Sequence, residues 1–252
     1  MQLTIIGCGT IDLKRHSSSY YITTNKLKLL FDIGRGTIDN LNKAKIDPYS
    51  IDAIFISHFH SDHCIELIPF ISAVIYIPEY NPKQKRLKEK YIIYGPPDIN
   101  TRITQFLSVF EISKEQFEKK FQIVELEPNT IIKLGDLKIK TYPITHDTLV
   151  ESIAFRITHN NKSLFYSGDC KNISELVEGC NNTDVALVEC TLPKNPVHLN
   201  GLDVGKMAEH ANVKKLIITH IALDYISQSQ KEVSTFYSGK LVVAKEFLKI
   251  KI

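Results

Sequence analysis

The sequence predicts a single α/β domain over residues 1–252, with two sheets packed together and helices outside. Three observations lead there. A chain of 252 residues with 43% hydrophobic side chains can bury a substantial core, and its length suits one large domain better than two independent ones. Its elements follow a coarse two-part rhythm, strands first and strand–helix units after, in each half. Several apolar, strand-like runs end in histidine or aspartate, which puts coordinating side chains at strand ends, where α/β sheets gather them.

The elements follow from the pattern of apolar and turn residues. Leu3–Ile6 reads as a first strand and Gly7-Cys8-Gly9-Thr10 as a tight turn, since Asp12 breaks the dinucleotide pattern G-x-G-x-x-G. Tyr20–Thr24 and Lys28–Phe31 form a hairpin around Asn25-Lys26, and Arg35–Ala44 is a helix. Ala53–Ser57 is a buried strand and Ile65–Ile77 a buried helix. Lys90–Tyr94 is a strand. The turn Gly95-Pro96-Pro97 opens a helix through Leu107, and Ser113–Lys120 is an amphipathic helix. Short strands then follow at Phe121–Leu126, Thr130–Lys133, Leu137–Pro143, Ser152–Thr158 and Ser163–Ser167, the last two joined at Asn160-Asn161. Ile173–Glu178 is a short helix and Val185–Glu189 a strand. Asp203–Ala211 is a helix with Asp203 as its N-cap, and Leu216–Thr219 is a strand.

Composition narrows the class. A formal net charge of +3 is compatible with a phosphate-bearing substrate but does not by itself imply nucleic acid. The basic segment Lys83–Lys90 reads mainly as a solvated surface, with phosphate contact as the minor alternative. Five cysteines, an odd number without a Cys-x-x-Cys pair, argue against a disulfide framework and for a reducing cytoplasm. No apolar run approaches the roughly 18 residues of a membrane span, so no membrane role is expected.

The chemistry concentrates in His58-Phe59-His60-Ser61-Asp62-His63, directly after the strand that ends at Ser57. Four coordinating side chains within six positions have no rationale in core packing; they read as a metal-binding loop. His58 and His60 can face one ion, and Asp62 and His63 a second. Further donors stand where other strands end: His146, Asp169 and His220. Asp169, with two carboxylate oxygens, can bridge. Histidine and carboxylate suit zinc; manganese and iron stay open. Two ions about 3.5–4 Å apart would hold a hydroxide and polarise a phosphoryl or acyl oxygen. His159 is expected to be exposed beside its hairpin turn, and Cys64 and Cys170 are expected to pack rather than ligate.

At these residues the chain resembles the metallo-β-lactamase superfamily, over nearly its whole length. The resemblance implies a four-layer αββα sandwich with a dinuclear site at one edge of the sheets. Gly7-Cys8-Gly9-Thr10 with Arg15 and Ser17-Ser18-Ser19, Tyr94-Gly95-Pro96-Pro97, Glu189-Cys190-Thr191, and His198-Leu199 followed by Val213–His220 resemble its ribonuclease Z-like branch. That branch implies a first zinc on His58, His60, His146 and Asp169, and a second on Asp62, His63, Asp169 and His220. It implies that Asp62 orients the nucleophilic water and that His198 contacts the scissile phosphate and helps protonate the leaving oxygen. A homodimer is expected on the same ground.

The chain departs from that branch in three places. No long arm for transfer RNA separates His146 from Asp169, where only two strands and a hairpin fit. Glu66 replaces the glycine usual three residues after His63, and Leu199-Asn200 replaces a Ser-Thr pair. The expected function is therefore a dinuclear-zinc phosphodiesterase or ribonuclease Z-like nuclease. A metal-bound hydroxide would attack a small cyclic phosphodiester, a nucleotide or an RNA. A lactonase or thioesterase of the same fold is the alternative; a non-enzymatic scaffold is the third reading.

Overall fold

The computed structural model describes residues 1–80, 87–147, 151–192 and 195–252. Two seven-stranded mixed sheets lie face to face. The first holds β1 (Gln2–Gly7), β2 (Ser19–Thr23), β3 (Lys28–Phe31), β4 (Ala53–Phe55), β5 (Tyr91–Gly95) and β6 (Phe121–Glu125). The second holds β7 (Ile131–Leu134), β8 (Leu137–Ile144), β9 (Ser152–His159), β10 (Lys162–Tyr166), β11 (Val185–Glu189), β12 (Lys215–Thr219) and β13 (Lys240–Val243). The final strand, β14 (Lys249–Lys251), returns to the first sheet and pairs antiparallel with β1.

Helices cover both outer faces. Against the first sheet lie α1 (Thr37–Lys43), α3 (Leu67–Tyr80), α4 (Ile99–Val109) and α5 (Lys114–Lys120), with the single turn α2 (Ser61–Cys64) at the sheet's edge. Against the second lie α6 (Leu176–Cys180), α7 (Gly201–His210) and α8 (Ile226–Ser234). The expected αββα sandwich is therefore the fold observed.

Strand periodicity explains the layering. Side chains alternate across a strand, so Leu29 and Phe31 enter the core between the sheets while Leu30 packs under the helices. Ala53 and Phe55 divide from Ile54 in the same way. Both faces of such strands are covered, which is why they read as unbroken apolar runs. The central core stacks Phe31 on Phe55 at 4.7 Å and sets Phe155 of the opposite sheet edge-on to Phe31 at 5.3 Å. A third core, with Leu176, Val204, Met207 and Val233, joins the second sheet to α6, α7 and α8.

Several expected boundaries shift for local reasons. The histidine loop is partly helical, because Ser61–Cys64 forms a turn in which Cys64 Sγ bonds the His60 carbonyl at 3.2 Å. The helix at Gly201–His210 is capped by Asn200, whose side chain accepts from Asp203 N, and not by Asp203 as expected. His159 is half-buried against Asp136 at 3.2 Å rather than exposed. Glu66 accepts from the backbone N–H groups of Gly36 and Ile38 and so holds the start of α1. All five cysteines are free and buried. Residues 83–86 of the Lys83–Lys90 segment lie outside the described residues; Lys88 pairs with Asp52. Among the described residues no helix is long and apolar enough to cross a membrane.

Candidate metal centre

Strands β3 to β6 run parallel in one sheet and β10 to β13 in the other. Their carboxyl ends deliver side chains to one edge of the sandwich. Asp32 follows β3, His58 follows β4, Asp169 follows β10, and His220 follows β12. His146 arrives from the end of β8. The backbone is shaped to allow this. Gly34 passes so close to Asp62 that a Cβ would lie 2.1 Å from the Asp62 carbonyl oxygen. Gly168 takes a left-handed conformation, φ +58°, beside Ser57 just before Asp169.

Four histidines are held by one ring nitrogen and offer the other inward. His63 Nδ1 donates to Asp32 Oδ2 at 2.7 Å, and His146 Nδ1 donates to the Val197 carbonyl at 2.8 Å. His220 Nδ1 lies 2.8 Å from Thr191 Oγ1, whose own proton goes to Glu189 Oε2. His58 Nδ1 lies 3.0 Å from Ser57 Oγ, whose proton goes to Asp32 Oδ2. Each Nδ1 therefore carries hydrogen, and each Nε2 faces the centre. This is the arrangement by which outer residues orient metal-binding histidines. His60 turns its Nδ1 inward, 3.1 Å from His146 Nε2.

Asp169 occupies the middle. Its Oδ2 lies 3.3 Å from His63 Nε2, 3.4 Å from His220 Nε2, 3.8 Å from His146 Nε2 and 3.9 Å from His58 Nε2. Asp62 Oδ2 stands 3.1 Å from His220 Nε2. His58 Nε2, His63 Nε2 and Asp169 Oδ1 are buried and make no well-formed hydrogen bond among the described residues. Buried polar atoms cost free energy unless satisfied. Orphaned donors of the right type, converging from both sheets, fit a divalent cation. The seven expected residues are brought together in overlapping groups: His58, His60 and His146; Asp62, His63 and His220; and His58, His63 and Asp169.

The electrostatics agree. Burial, reinforced by His63, pushes the His58 ring well below the usual histidine value and keeps it neutral, the coordinating form. Burial opposes charge on His63, yet Asp169, Asp32 and Asp62 outweigh it and hold that ring protonated well above its usual value. Burial likewise opposes ionisation of Asp62, but His63 and His220 carry its carboxyl down to about 2. Clustered carboxylates thus demand positive charge here, a demand that divalent cations meet.

His198 stands beside these donors and is held differently. Its Nδ1 lies 3.0 Å from Glu189 Oε2 and 3.8 Å from Asp169 Oδ2. Burial disfavours its charge, but the hydrogen bond and charge of Glu189 prevail and raise its pKa to about 9. Glu189 is itself buried and fixed by the Cys170 backbone N–H and the Thr191 hydroxyl. A cleft of about 520 Å³ opens over the cluster, with Thr10, Ile11, Asp12, Asp147, Asn195 and Ala222 on its walls.

The seven candidate donors and His198 stand out in the sequence, as does the Glu189-Cys190-Thr191 segment, though with no task attached. Asp32, Ser57 and Tyr166 carry no expected role there. Their signal was faint: Asp32 closes a strand in an ordinary Asp-x-Gly turn, and Tyr166 reads as a core strand residue.

A sequence profile for the anti-Pycsar protein Apyc1 matches residues 1–235. The chain belongs to the Apyc1 family. It is 30% identical over 246 residues to the uncharacterized protein Rv1339 of Mycobacterium tuberculosis, covering 92% of this chain and 86% of that one. Among solved structures, this Apyc1-family chain superposes on the metallo-β-lactamase-fold protein YhfI of Bacillus subtilis with a TM-score of 0.83 at 22% identity, covering 99% and 98% of the two chains. It superposes on the short form of human tRNase Z (ELAC1) with a TM-score of 0.78 at 21% identity, covering 100% and 99%. The fold is that of the metallo-β-lactamase superfamily, and the chain is similar to ribonuclease Z of Chlamydia trachomatis, 27% identical over 266 residues and covering 88% of each chain.

Proposed function

We propose that this Apyc1-family protein is a dinuclear-zinc phosphodiesterase acting on a small phosphodiester, a cyclic phosphodiester or nucleotide, in preference to structured RNA. His58, His60, His146 and Asp169 would hold one ion, and Asp62, His63, Asp169 and His220 the other. When bound, the ions supply a water of lowered pKa and neutralise charge on the phosphoryl oxygens. Asp62, which lines the cleft, would orient that water. His198 donates a proton to the departing oxygen through Nε2, because Nδ1 is committed to Glu189.

The observation that carries this reading is the His198–Glu189 pair. A histidine kept protonated by a buried carboxylate, and placed 3.8 Å from the central Asp169, suits the protonation of an alkoxide leaving group. The small-substrate preference rests on the connection between β8 and β10, which carries β9 and its hairpin, and on a cleft of about 520 Å³. A human relative by fold is named for cleaving transfer RNA, a phosphodiester reaction that the same donor set could serve. Zinc as the native metal, a homodimer and a reducing cytoplasm complete the proposal; five buried free thiols accord with the last.

The test is a substrate screen with metal-loaded enzyme over cyclic nucleotides, oligoribonucleotides and precursor transfer RNA, run beside His198→Ala. Hydrolysis of a cyclic nucleotide, reduced roughly 10²–10⁴-fold in the variant at unchanged metal content, is expected for loss of an acid catalyst. Thioester or lactone cleavage with no action on any phosphodiester contradicts it.

A further inference from the structure

Behind the donor cluster, between the sheets, lie two tyrosines that no catalytic step requires. Tyr20 stands on β2 of the first sheet and Tyr166 on β10 of the second. Both side chains are buried, and their rings meet at 4.8 Å. Burying a phenol hydroxyl is costly without a partner, and each has found one across the interface. The Tyr20 hydroxyl lies 2.8 Å from Thr219 Oγ1 in the second sheet. The Tyr166 hydroxyl donates to Asp32 Oδ2 in the first. The two bonds therefore cross the sandwich in opposite senses.

Their targets share a destination. Asp32 holds His63 Nδ1 at 2.7 Å. Thr219 is the last residue of β12 and leads into His220, whose backbone takes the left-handed conformation, φ 49°. That conformation is unfavourable for a side-chain-bearing residue and persists only where neighbours fix it. His63 and His220 belong to the same donor group, with Asp62. They come from different sheets, so their spacing depends on how the sheets are held at this edge. Neither tyrosine bonds to His58, His60 or His146; the nearest link is Asp32 through Ser57 to His58.

We propose that Tyr20 and Tyr166 form a clasp that positions His63 and His220, and so sets the affinity of the second metal position selectively. This rests on the dinuclear reading above. Both are positioning residues, with no contact to substrate. Replacing either by phenylalanine keeps the ring packing. In Tyr166→Phe, Asp32 retains Ser57 N, Ser57 Oγ and His63 Nδ1 as donors, so no carboxylate is left stranded.

The experiment is calorimetric titration of metal-stripped protein with Zn²⁺, using a competing chelator, for wild type, Tyr20→Phe, Tyr166→Phe and the double variant. Thermal unfolding of each metal-free protein controls for folding. Wild type should take up two ions. In each variant one ion should bind about 10–100-fold more weakly, the size of effect typical for residues that orient ligands, while the other is unchanged. Adding His60→Ala should then weaken the remaining tight ion. Thr219→Val offers the same test should Tyr20→Phe fold poorly. Two ions bound with wild-type affinities in every variant, or both weakened equally, overturns the clasp. Wild type taking up a single ion overturns the dinuclear reading instead, which separates the two failures.

Discussion

His198 and Glu189 show how one residue's chemistry is set by another. A proton donor must remain protonated at working pH, and a raised pKa extends that range upward. Glu189→Gln removes the negative charge that favours imidazolium, so the pKa of His198 should fall. The alkaline limb of kcat against pH, measured at equal metal loading, should then move to lower pH. An unmoved limb would show that another group supplies the proton. Asp32→Asn leaves His63 Nδ1 with a weaker acceptor and should reduce metal affinity roughly 10–100-fold; chelator competition measures it. The donors were legible in the sequence because His58, His60, Asp62 and His63 crowd one strand end, where packing offers no use for them. Asp32 and Tyr166 were not legible, since their importance lies in a bond between residues 134 positions apart. Glu189 was visible only as part of a familiar segment; its task emerges from the 3.0 Å approach of His198.

Among the elements, strands were read more accurately than helix ends. Alternating or unbroken apolar runs mark β3, β8 and β11 directly, whereas helix starts depend on capping bonds that distant residues can supply. Glu66 caps α1 from 28 positions away, and Asn200 displaced Asp203 as the cap of α7. The last stretch, with α8, β13 and β14, carried no motif and went unread. Its strands are short edge strands, fixed by pairing with β12 and β1 and not by local preference. Asp184 illustrates what joins elements here. It precedes β11 and accepts from Lys162 Nζ and Ser163 N at the start of β10, and from Lys214 Nζ just before β12. Burial opposes its ionisation, but the two lysines and the amide outweigh it and lower its pKa to about 2. A carboxyl depressed in the folded state contributes stability above its unfolded value near 4, and that contribution is lost as pH falls toward 2. Asp184→Asn should therefore flatten the fall in melting temperature between about pH 4 and pH 2 relative to wild type. Parallel melting curves would exclude this contribution.

For the molecule as a whole, the three apolar layers account for the sandwich, and the fold class was legible because the strand–helix rhythm runs once in each half of the chain. The central layer bears most on the site, since it keeps the two donor-bearing edges together. Phe155 is fully buried there, edge-on to Phe31 and Phe55. Phe155→Ala should cost about 3–5 kcal/mol, read from denaturant unfolding of the metal-free protein. The substrate was the least legible property, because donors of this kind serve attack at phosphorus and at carbonyl carbon equally well. The most direct test of the central assignment is therefore hydrolysis of bis(p-nitrophenyl) phosphate by the zinc-loaded protein, beside a thioester and a lactone. Turnover of the phosphodiester, falling sharply in His198→Ala, is the predicted result. Turnover of the thioester or lactone, with none of the phosphodiester, would contradict it.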